Sequence, residues 1–236
     1  MTWALGLWPP LAFLLVIAGA SVLEVRRGAQ SGDEIGAAVQ AKVSVLLSVT
    51  LAVVGLSAIA VVVLDAERRA GLAGSIAGES WATASGWGAL AGVAIAGIYF
   101  GGLDRAIAAA QARFGDYVPA GSTAALGADR RAFFVANVIL APLVEEVWYR
   151  GLLFNALGLE VGGVAAAALG CAAFGLFHWP GGAWYVLVTG VLVGVPCWVL
   201  RHTFGGLAGP FAAHLTLNVL EYVILTQRAS RRPRGR

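Results

Sequence analysis

The sequence predicts an all-α protein, a polytopic membrane bundle of about seven to eight transmembrane helices that forms a single integral membrane domain over residues 1–236. Two observations indicate this class. Hydrophobic residues make up 59% of the chain and charged residues only 12%, whereas soluble domains usually carry about 25% charged residues. The chain also contains charge-free stretches of about the length that crosses a bilayer. So few charges cannot cover a water-facing surface, and we expect the apolar excess to face lipid.

Three N-terminal spans are predicted from stretches that contain no Asp, Glu, Lys or Arg, at about 3–23, 43–64 and 80–103. Each stretch matches the roughly 20 apolar residues that a transmembrane helix needs. These spans precede a C-terminal unit, at about 130–227, in which polar residues enter the apolar segments.

Four further spans are predicted in the C-terminal unit. The first covers about 132–159 and contains charged residues, and the last covers about 203–227. Between them, 161–200 has no Asp, Glu, Lys or Arg, which is too long for one helix, and the turn-like Trp-Pro-Gly-Gly at 179–182 divides it into two spans. The link to the last span is predicted at 201–202.

The distribution of Lys and Arg predicts the orientation. Three lie in the 24–42 loop, four in the 104–131 loop and five in the C-terminal tail, against two in the 65–79 loop and one in the 201–202 link. Because positive residues favour the cytoplasmic side, we expect a cytoplasmic C-terminal tail and an external N-terminus. The Ala-, Gly- and Arg-rich composition, with a single Lys, favours a high-GC genome and hence a bacterial plasma membrane.

Other features of the composition exclude function classes. The net charge is only +3 and the arginines lie between apolar blocks, so no basic patch for nucleic acid is predicted. The two cysteines lie inside apolar runs and support neither a disulfide framework nor a Cys-based zinc site. The 32 glycines favour close helix packing. Candidate contact positions are Gly97/Gly101 and Gly190/Gly194.

A pair of glutamates and an arginine enter the first span of the C-terminal unit. A charge at the bilayer centre costs at least about 2.5–3.5 kcal/mol, so an intramembrane ionisable residue indicates function. Glu146 and Arg150 are four residues apart, in the favourable order for an ion pair on one helix face. Glu145 points about 100° away from that face. We therefore expect Arg150 to neutralise and orient Glu146, which leaves Glu145 available for acid–base chemistry.

Histidines and an amide occur at the same helical spacing in the later spans. His178 follows Phe174 by four residues, so that the two rings share a helix face just before the predicted turn. His214 and Asn218 are likewise four residues apart on the last span. One helix thus offers an imidazole and a carboxamide that could both donate hydrogen bonds to an oxyanion.

Pro142 bears on the depth of these groups. If the first span of the C-terminal unit entered the bilayer at 132, Glu145 would lie about 20 Å along it, far from His178 near the end of the next span. Because proline can kink or begin a helix, we expect residues 130–141 to lie flat at the interface. Glu145 would then lie in a cavity among the last four spans that opens toward the cytoplasm.

Three motifs follow one another in the C-terminal unit: Glu145-Glu146-x-x-x-Arg150, Phe174-x-x-x-His178 and His214-x-x-x-Asn218. In this order they resemble the CPBP family, the CAAX prenyl protease and bacteriocin-processing group of intramembrane glutamic endopeptidases, also called the Abi family. Pro142 before the glutamates and Gly151 after the arginine are similar to that family as well. Tyr149 stands where an aromatic residue, commonly Phe, is usual. The resemblance covers about 142–218.

The resemblance implies an intramembrane endopeptidase with its catalytic core at about 130–227. It implies that Glu145 and His178 hold and activate a water molecule, and that His214 and Asn218 stabilise the oxyanion. The ion-paired glutamate and arginine would organise the site. The implied partners are the lipid bilayer and a membrane-associated peptide or protein substrate, and no metal or other cofactor is expected.

Two other interpretations of the same residues stay open. Glu145, Glu146, His178 and His214 are all possible zinc ligands, and zinc would also activate water. Against zinc, the sequence has no His-Glu-x-x-His helix, and adjacent glutamates are poorly placed to bind one ion. The other interpretation is non-enzymatic: intramembrane carboxylates and histidines also serve proton relays in carriers, and a scaffold or immunity protein would keep the fold without catalysis.

Overall fold

A computed structural model of the chain describes residues 80–114, 130–178 and 183–231. Every element in these ranges is helical, and no strand occurs among them. The α-helices in chain order are α1 Trp81–Ile98, α2 Asp104–Phe114, α3 Arg130–Phe133, α4 Ala141–Glu146, α5 Phe154–Val161, α6 Gly163–Phe177, α7 Ala183–Val188, α8 Val195–Phe204 and α9 Ala208–Arg231. The predicted spans at 3–23 and 43–64, and with them the predicted number of spans, lie outside the described residues.

Three wider π-helical stretches join α-helices in the described part of the chain: Phe134–Leu140, Val147–Leu153 and Thr189–Gly194. A fourth stretch, Tyr99–Leu103, contains a kink at Gly102, whose φ of 173° and ψ of −25° are not helical. A π-helical stretch adds a residue to a turn and frequently lies at a functional site. Two of the four flank α4, which carries both glutamates.

Within the ranges that the structure describes, three helical stretches are long and apolar enough to cross a membrane, namely Trp81–Ala110, Ala183–Phe204 and Ala208–Arg228. The first contains the span predicted at about 80–103 from Trp81 onward and continues to Ala110. Helix α6 is also apolar but shorter, with 15 residues. Large apolar side chains such as Trp87 and Leu90 are exposed on the outer surface of α1, as expected of a helix that faces lipid.

Helices α1 and α9 pack at backbone contact. A Cβ added at Gly88 would collide with the carbonyl oxygen of Gly209, and one added at Gly92 would collide with that of Ala213. Small residues permit such approach between membrane helices. The contact was not predicted, although Gly88 and Gly92 have the same four-residue spacing as the candidate pairs.

Of the two candidate glycine pairs, one lies at a helix contact. A Cβ at Gly190 would lie 3.0 Å from the carbonyl oxygen of Cys171, and one at Gly194 would lie 3.3 Å from the Cys171 Cβ. A Cβ at Gly97 or Gly101 would meet no atom of the described residues within 4 Å, so among these residues the pair lies at no helix contact, and its role in packing stays a prediction.

The link before the last helix was predicted at 201–202, and this position is wrong. Helix α8 continues through Arg201 and ends at Phe204, and Gly205 follows in the left-handed conformation with φ 69°. The Gly205 N–H donates to the Arg201 carbonyl at 3.0 Å. A glycine with positive φ ends a helix, whereas a charged residue can continue one. Arg201 is buried within α8 and does not mark a link exposed to water.

Pro142 lies in the first turn of α4, as a helix-starting proline would, but the backbone before it remains helical. Leu140, just before α4, has φ −74° and ψ −41°. The segment from Arg130 to Val161 is therefore helical throughout, with wide turns on both sides of α4. The interfacial position of 130–141 stays a prediction.

The glycine contact between α1 and α9 gives a first prediction. We expect Gly88→Ala to lower the free energy of unfolding by about 1–3 kcal/mol, because the added methyl group overpacks a backbone contact. Gly97→Ala is the matched control on the same helix, and it should leave stability unchanged or raise it slightly, since alanine favours helix more than glycine. SDS titration of the full-length protein in detergent micelles measures both values. Equal effects of the two substitutions would contradict the assigned contact.

Candidate active site

Glu145 and Glu146 end helix α4 with their side chains almost completely buried, at 5% and 1% exposure. Because adjacent helical residues point about 100° apart, the two carboxylates face different partners. The Glu146 carboxylate contacts the Arg150 guanidinium and the His214 imidazole. The Glu145 carboxylate faces the imidazoles of His178 and His214. The spacing predicted that Glu146 pairs with Arg150 and that Glu145 lies outside this ion pair, and the structure shows this arrangement.

Glu146 makes its close contacts through one oxygen. Its Oε1 accepts a hydrogen bond from Arg150 Nη1 at 3.0 Å and lies 2.8 Å from His214 Nδ1. The predicted ion pair of Glu146 with Arg150 thus forms within one helical stretch. The contact with His214 joins this stretch to α9 and was not predicted.

Arg150 is held on three sides. Besides Glu146, its Nη2 donates to the carbonyl oxygen of Gly194 at 3.4 Å, and its guanidinium lies 4.2 Å from the centroid of the Phe174 ring. Arg150 is only 4% exposed. Its guanidinium contacts the Glu146 carboxylate, the Gly194 carbonyl and the face of the Phe174 ring in place of water. Sequence reasoning missed Gly194 as a partner, and the small-residue spacing with Gly190 was its only signal.

Glu145 faces the two histidines at longer range. Its Oε2 lies 3.8 Å from His178 Nε2 and 3.9 Å from His214 Nε2. Both separations exceed a hydrogen-bond length, and this buried oxygen accepts no hydrogen bond from the described residues. Such distances among polar atoms are of the kind that a single water molecule bridges.

The partner of Nδ1 determines which nitrogen of each imidazole carries a hydrogen. His178 Nδ1 lies 2.8 Å from the Phe174 carbonyl oxygen, which can only accept, so this nitrogen is the donor. His214 Nδ1 likewise faces Glu146 Oε1, which already accepts a hydrogen bond from Arg150, so Nδ1 is the donor to this oxygen. In the neutral rings both Nε2 atoms therefore present a lone pair toward Glu145.

Phe174 is the fully buried ring around which these groups pack. Its centroid lies 4.8 Å from that of His178 and 5.8 Å from that of His214, both in edge-on geometry. Tyr149 packs edge-on against it at 5.2 Å. The predicted neighbouring of Phe174 and His178 on one helix face is confirmed, and the same ring also orients His214.

Asn218 lies on α9 one turn beyond His214, and its amide faces backbone. Its Nδ2 donates to the carbonyl oxygen of Asn137 at 2.7 Å. One of its two N–H groups is thereby committed to the π-helical stretch before α4, which the sequence did not predict. The fold brings the side chains of Glu145, Glu146, Arg150, His178 and His214 into one cluster, whereas the Asn218 amide contacts backbone one helical turn beyond His214.

The same cluster bears on metal binding. Among the described residues, no three or more His, Cys, Asp or Glu side chains are arranged to hold a metal ion. Glu146 Oε1 is already shared by Arg150 and His214. Through this oxygen Glu146 could therefore bind an ion only after it gave up these contacts.

The burial of the ion pair gives a second prediction. We expect Arg150→Met to lower the free energy of unfolding by about 3–5 kcal/mol, because it leaves the Glu146 charge buried without its cation. The matched control is Arg228→Met, which breaks the 2.8 Å ion pair with Asp104. Arg228 is 43% exposed, so this loss should be below about 1 kcal/mol. SDS titration compares the two, and a loss for Arg150→Met as small as that of the control would contradict the assignment.

The comparison with known families agrees with this architecture. Residues 128–220 match the family model described as type II CAAX prenyl endopeptidase Rce1-like. The matched segment contains all three motifs. No significant match is found among curated proteins or among solved structures. Residues 128–220 are therefore similar to the Rce1-like CAAX prenyl endopeptidases, the group that the motifs indicated.

Proposed function

We propose that the protein is an intramembrane endopeptidase of the glutamic type, which hydrolyses a peptide bond of a membrane-associated substrate. The observation that carries this proposal is the position of Glu145 Oε2, which is buried and lies within 3.9 Å of two histidine Nε2 atoms. A carboxylate in this position can take a proton from a water molecule. The family match supports the protease class.

The water molecule would be held by Glu145 and His178. One of its hydrogens is donated to Glu145 Oε2 and the other to the lone pair of His178 Nε2, which the hydrogen bond of Nδ1 to Phe174 keeps available. A lone pair of the water oxygen then points at the substrate carbonyl carbon. As the new C–O bond forms, Glu145 takes one proton and the carbonyl oxygen gains negative charge.

His214 would stabilise that oxyanion as an imidazolium. Its Nδ1–H is committed to Glu146, so its Nε2 donates a hydrogen bond only when the ring is protonated. The adjacent carboxylate, fixed by Arg150, stabilises the positive ring. The second N–H of Asn218 would join His214 at the oxyanion. Donors fixed in advance of the reaction are the most effective means of stabilising such a charge.

Collapse of the tetrahedral intermediate completes the reaction. The C–N bond breaks, the leaving nitrogen takes the proton from Glu145, and the products are an amine and a carboxylic acid, which then releases the second proton of the water molecule to solvent and becomes a carboxylate. Glu145 thus acts first as base and then as acid. No step requires a serine or cysteine nucleophile, and Cys171 and Cys197 take no part.

The substrate class follows from where the site lies. The catalytic core, at about 130–227, is built from apolar helices, so the scissile bond must reach it from the bilayer or its surface. The composition favours removal of a leader or sorting peptide in a bacterial plasma membrane over processing of prenylated proteins. The arginine-rich C-terminal tail would lie in the cytoplasm, as would the opening of the cavity.

A third prediction tests the proposal with a library of fluorogenic membrane peptides and the purified full-length protein in detergent. We expect Glu145→Gln to lower the cleavage rate by about 10²–10⁴-fold, because the glutamine cannot accept the proton. Asp104→Asn removes a carboxylate that pairs with Arg228 outside the site, and this control should cleave at the wild-type rate. A strong zinc chelator should leave wild-type cleavage unchanged.

Each contrary result favours a specific alternative. Loss of wild-type cleavage on chelation, with recovery on added zinc, would favour a zinc-dependent protease that uses the same side chains. Wild-type activity in Glu145→Gln would contradict the assignment of the base. If folded wild-type protein cleaves no peptide, a non-catalytic scaffold or immunity function gains support.

A further inference from the structure

We infer that Glu221 forms, with Tyr99 and Tyr185, a subsite that binds a cationic side chain of the substrate close to the scissile bond. The bound group would be the ammonium of a lysine or the guanidinium of an arginine. The inference rests on the proposed function, because it names a feature of the substrate of that enzyme. It goes beyond the proposed chemistry, in which Glu221 takes no part.

The first step concerns the position of Glu221 on α9. Glu221 lies seven residues after His214 and three after Asn218. Seven residues make almost two full helical turns, so Glu221 shares the face of α9 that carries His214, about 10 Å further along the helix axis. Its carboxylate interacts electrostatically with His214, in agreement with this placement. A substrate that is held at His214 and runs along α9 therefore passes Glu221.

The second step concerns the charge of Glu221. This half-buried carboxylate makes no hydrogen bond or ion pair with any described residue. The imidazole of His214 is held by Glu146 at 2.8 Å. Arg228, two turns further along α9, pairs with Asp104 at 2.8 Å. A carboxylate within a membrane helix is costly unless a cation compensates its charge, and the partial exposure of Glu221 leaves it within reach of a ligand.

The third step concerns the two tyrosines. Tyr99 begins the stretch that follows α1, and Tyr185 lies in α7. The Glu221 carboxylate interacts electrostatically with both phenol groups. Tyr185 also interacts with Glu145, and its ring centroid lies 5.9 Å from that of His178, so it connects the subsite with the reactive centre. A carboxylate beside aromatic rings is an arrangement that favours a cation.

The fourth step concerns the substrate. An extended peptide advances about 3.3 Å per residue, so the distance of about 10 Å along α9 corresponds to roughly three residues. Lysine and arginine are most frequent on the cytoplasmic flank of membrane segments. With the C-terminal tail in the cytoplasm, as proposed, Glu221 lies on the cytoplasmic side of the reactive centre. The substrate class is therefore an apolar membrane segment with a basic residue on its cytoplasmic flank.

The test uses a peptide that the wild-type enzyme cleaves, with lysine or glutamine placed in turn at each position near the scissile bond. At one position we expect kcat/KM to be roughly 10–100-fold higher for lysine, because a hydrogen bond between charged groups forms only there. The difference should lie mainly in KM. In Glu221→Gln this preference should fall below about threefold, because the amide carries no charge. A role in structure alone would lower the rates for both peptides and leave their ratio unchanged.

Three further variants examine the charge and the aromatic faces. Glu221→Lys should invert the preference, so that a glutamate peptide is cleaved faster than the lysine peptide. Tyr99→Leu should reduce the preference for lysine by about 2–5-fold, because it removes one aromatic face. Asp104→Asn is the matched control and should keep the full preference. Its carboxylate also acts on Tyr99, but it is already paired with Arg228.

Three results would overturn the inference. The first is equal kcat/KM of the wild-type enzyme for lysine and glutamine at every position, and this measurement requires no variant to fold. The second is a preference for lysine that persists in Glu221→Gln. The third is an equal decrease of kcat for both peptides in Glu221→Gln, which would indicate a proton relay.

Binding separates this inference from the proposed function. Labelled lysine and glutamine peptides are titrated with full-length Glu145→Gln in detergent, and the lysine peptide should bind roughly tenfold more tightly. Equal binding would overturn the subsite alone, and cleavage at the wild-type rate in Glu145→Gln would overturn the proposed base alone. If the wild type cleaves no peptide, the proposed function fails. The ratio of Kd values for library peptides with and without the lysine then decides on the subsite.

Discussion

The buried carboxylate of Glu146 is the group on which the rest of the site depends. It is 1% exposed, and its Oε1 is shared by Arg150 and His214. A charge in a membrane helix is tolerated only when it is paired, so the fold must bring both partners to this point. Arg150 is in turn fixed over the Phe174 ring and against the carbonyl of Gly194. One charge thereby joins α4, α6, α9 and the stretch at Thr189–Gly194.

Two adjacent glutamates differ in their contacts because a helix turns about 100° between them. In the proposed mechanism, the ion-paired Glu146 would hold the site in place, and Glu145, at longer range from its partners, would be the reactive group. Each of the two glutamates has a buried Oε2 without a donor among the described residues, which costs stability. The contacts of Glu146 Oε1 with Arg150 and His214 offset part of that cost. Exchange of the two roles would require α4 to rotate by a third of a turn.

Local spacing explains which parts could be predicted from the sequence. The pairs Glu146/Arg150 and Phe174/His178 are four residues apart, so helix geometry alone brings each together. The contact of His214 with Glu146 joins distant residues and depends on how α9 packs. The backbone carbonyl acceptors of Gly194 and Asn137 could not be predicted from the pattern of side chains. The helix end before Gly205 was not predicted, because the charged Arg201 was taken as the boundary. The helix ends instead where Gly205 adopts the left-handed backbone conformation.

Glycine contacts determine whether these side chains can reach one another. Gly88 and Gly92 let α1 approach the backbone of α9, the helix that carries His214 and Asn218. On the other side, Gly175 and Gly190 bring α6 against the stretch that ends at Gly194, so that the Gly194 carbonyl comes within reach of Arg150. Larger residues would separate the backbones by more than a hydrogen bond tolerates. The many glycines therefore serve the polar cluster as much as they serve the packing of helices, because short, fixed contacts between buried polar groups require backbones that lie close together.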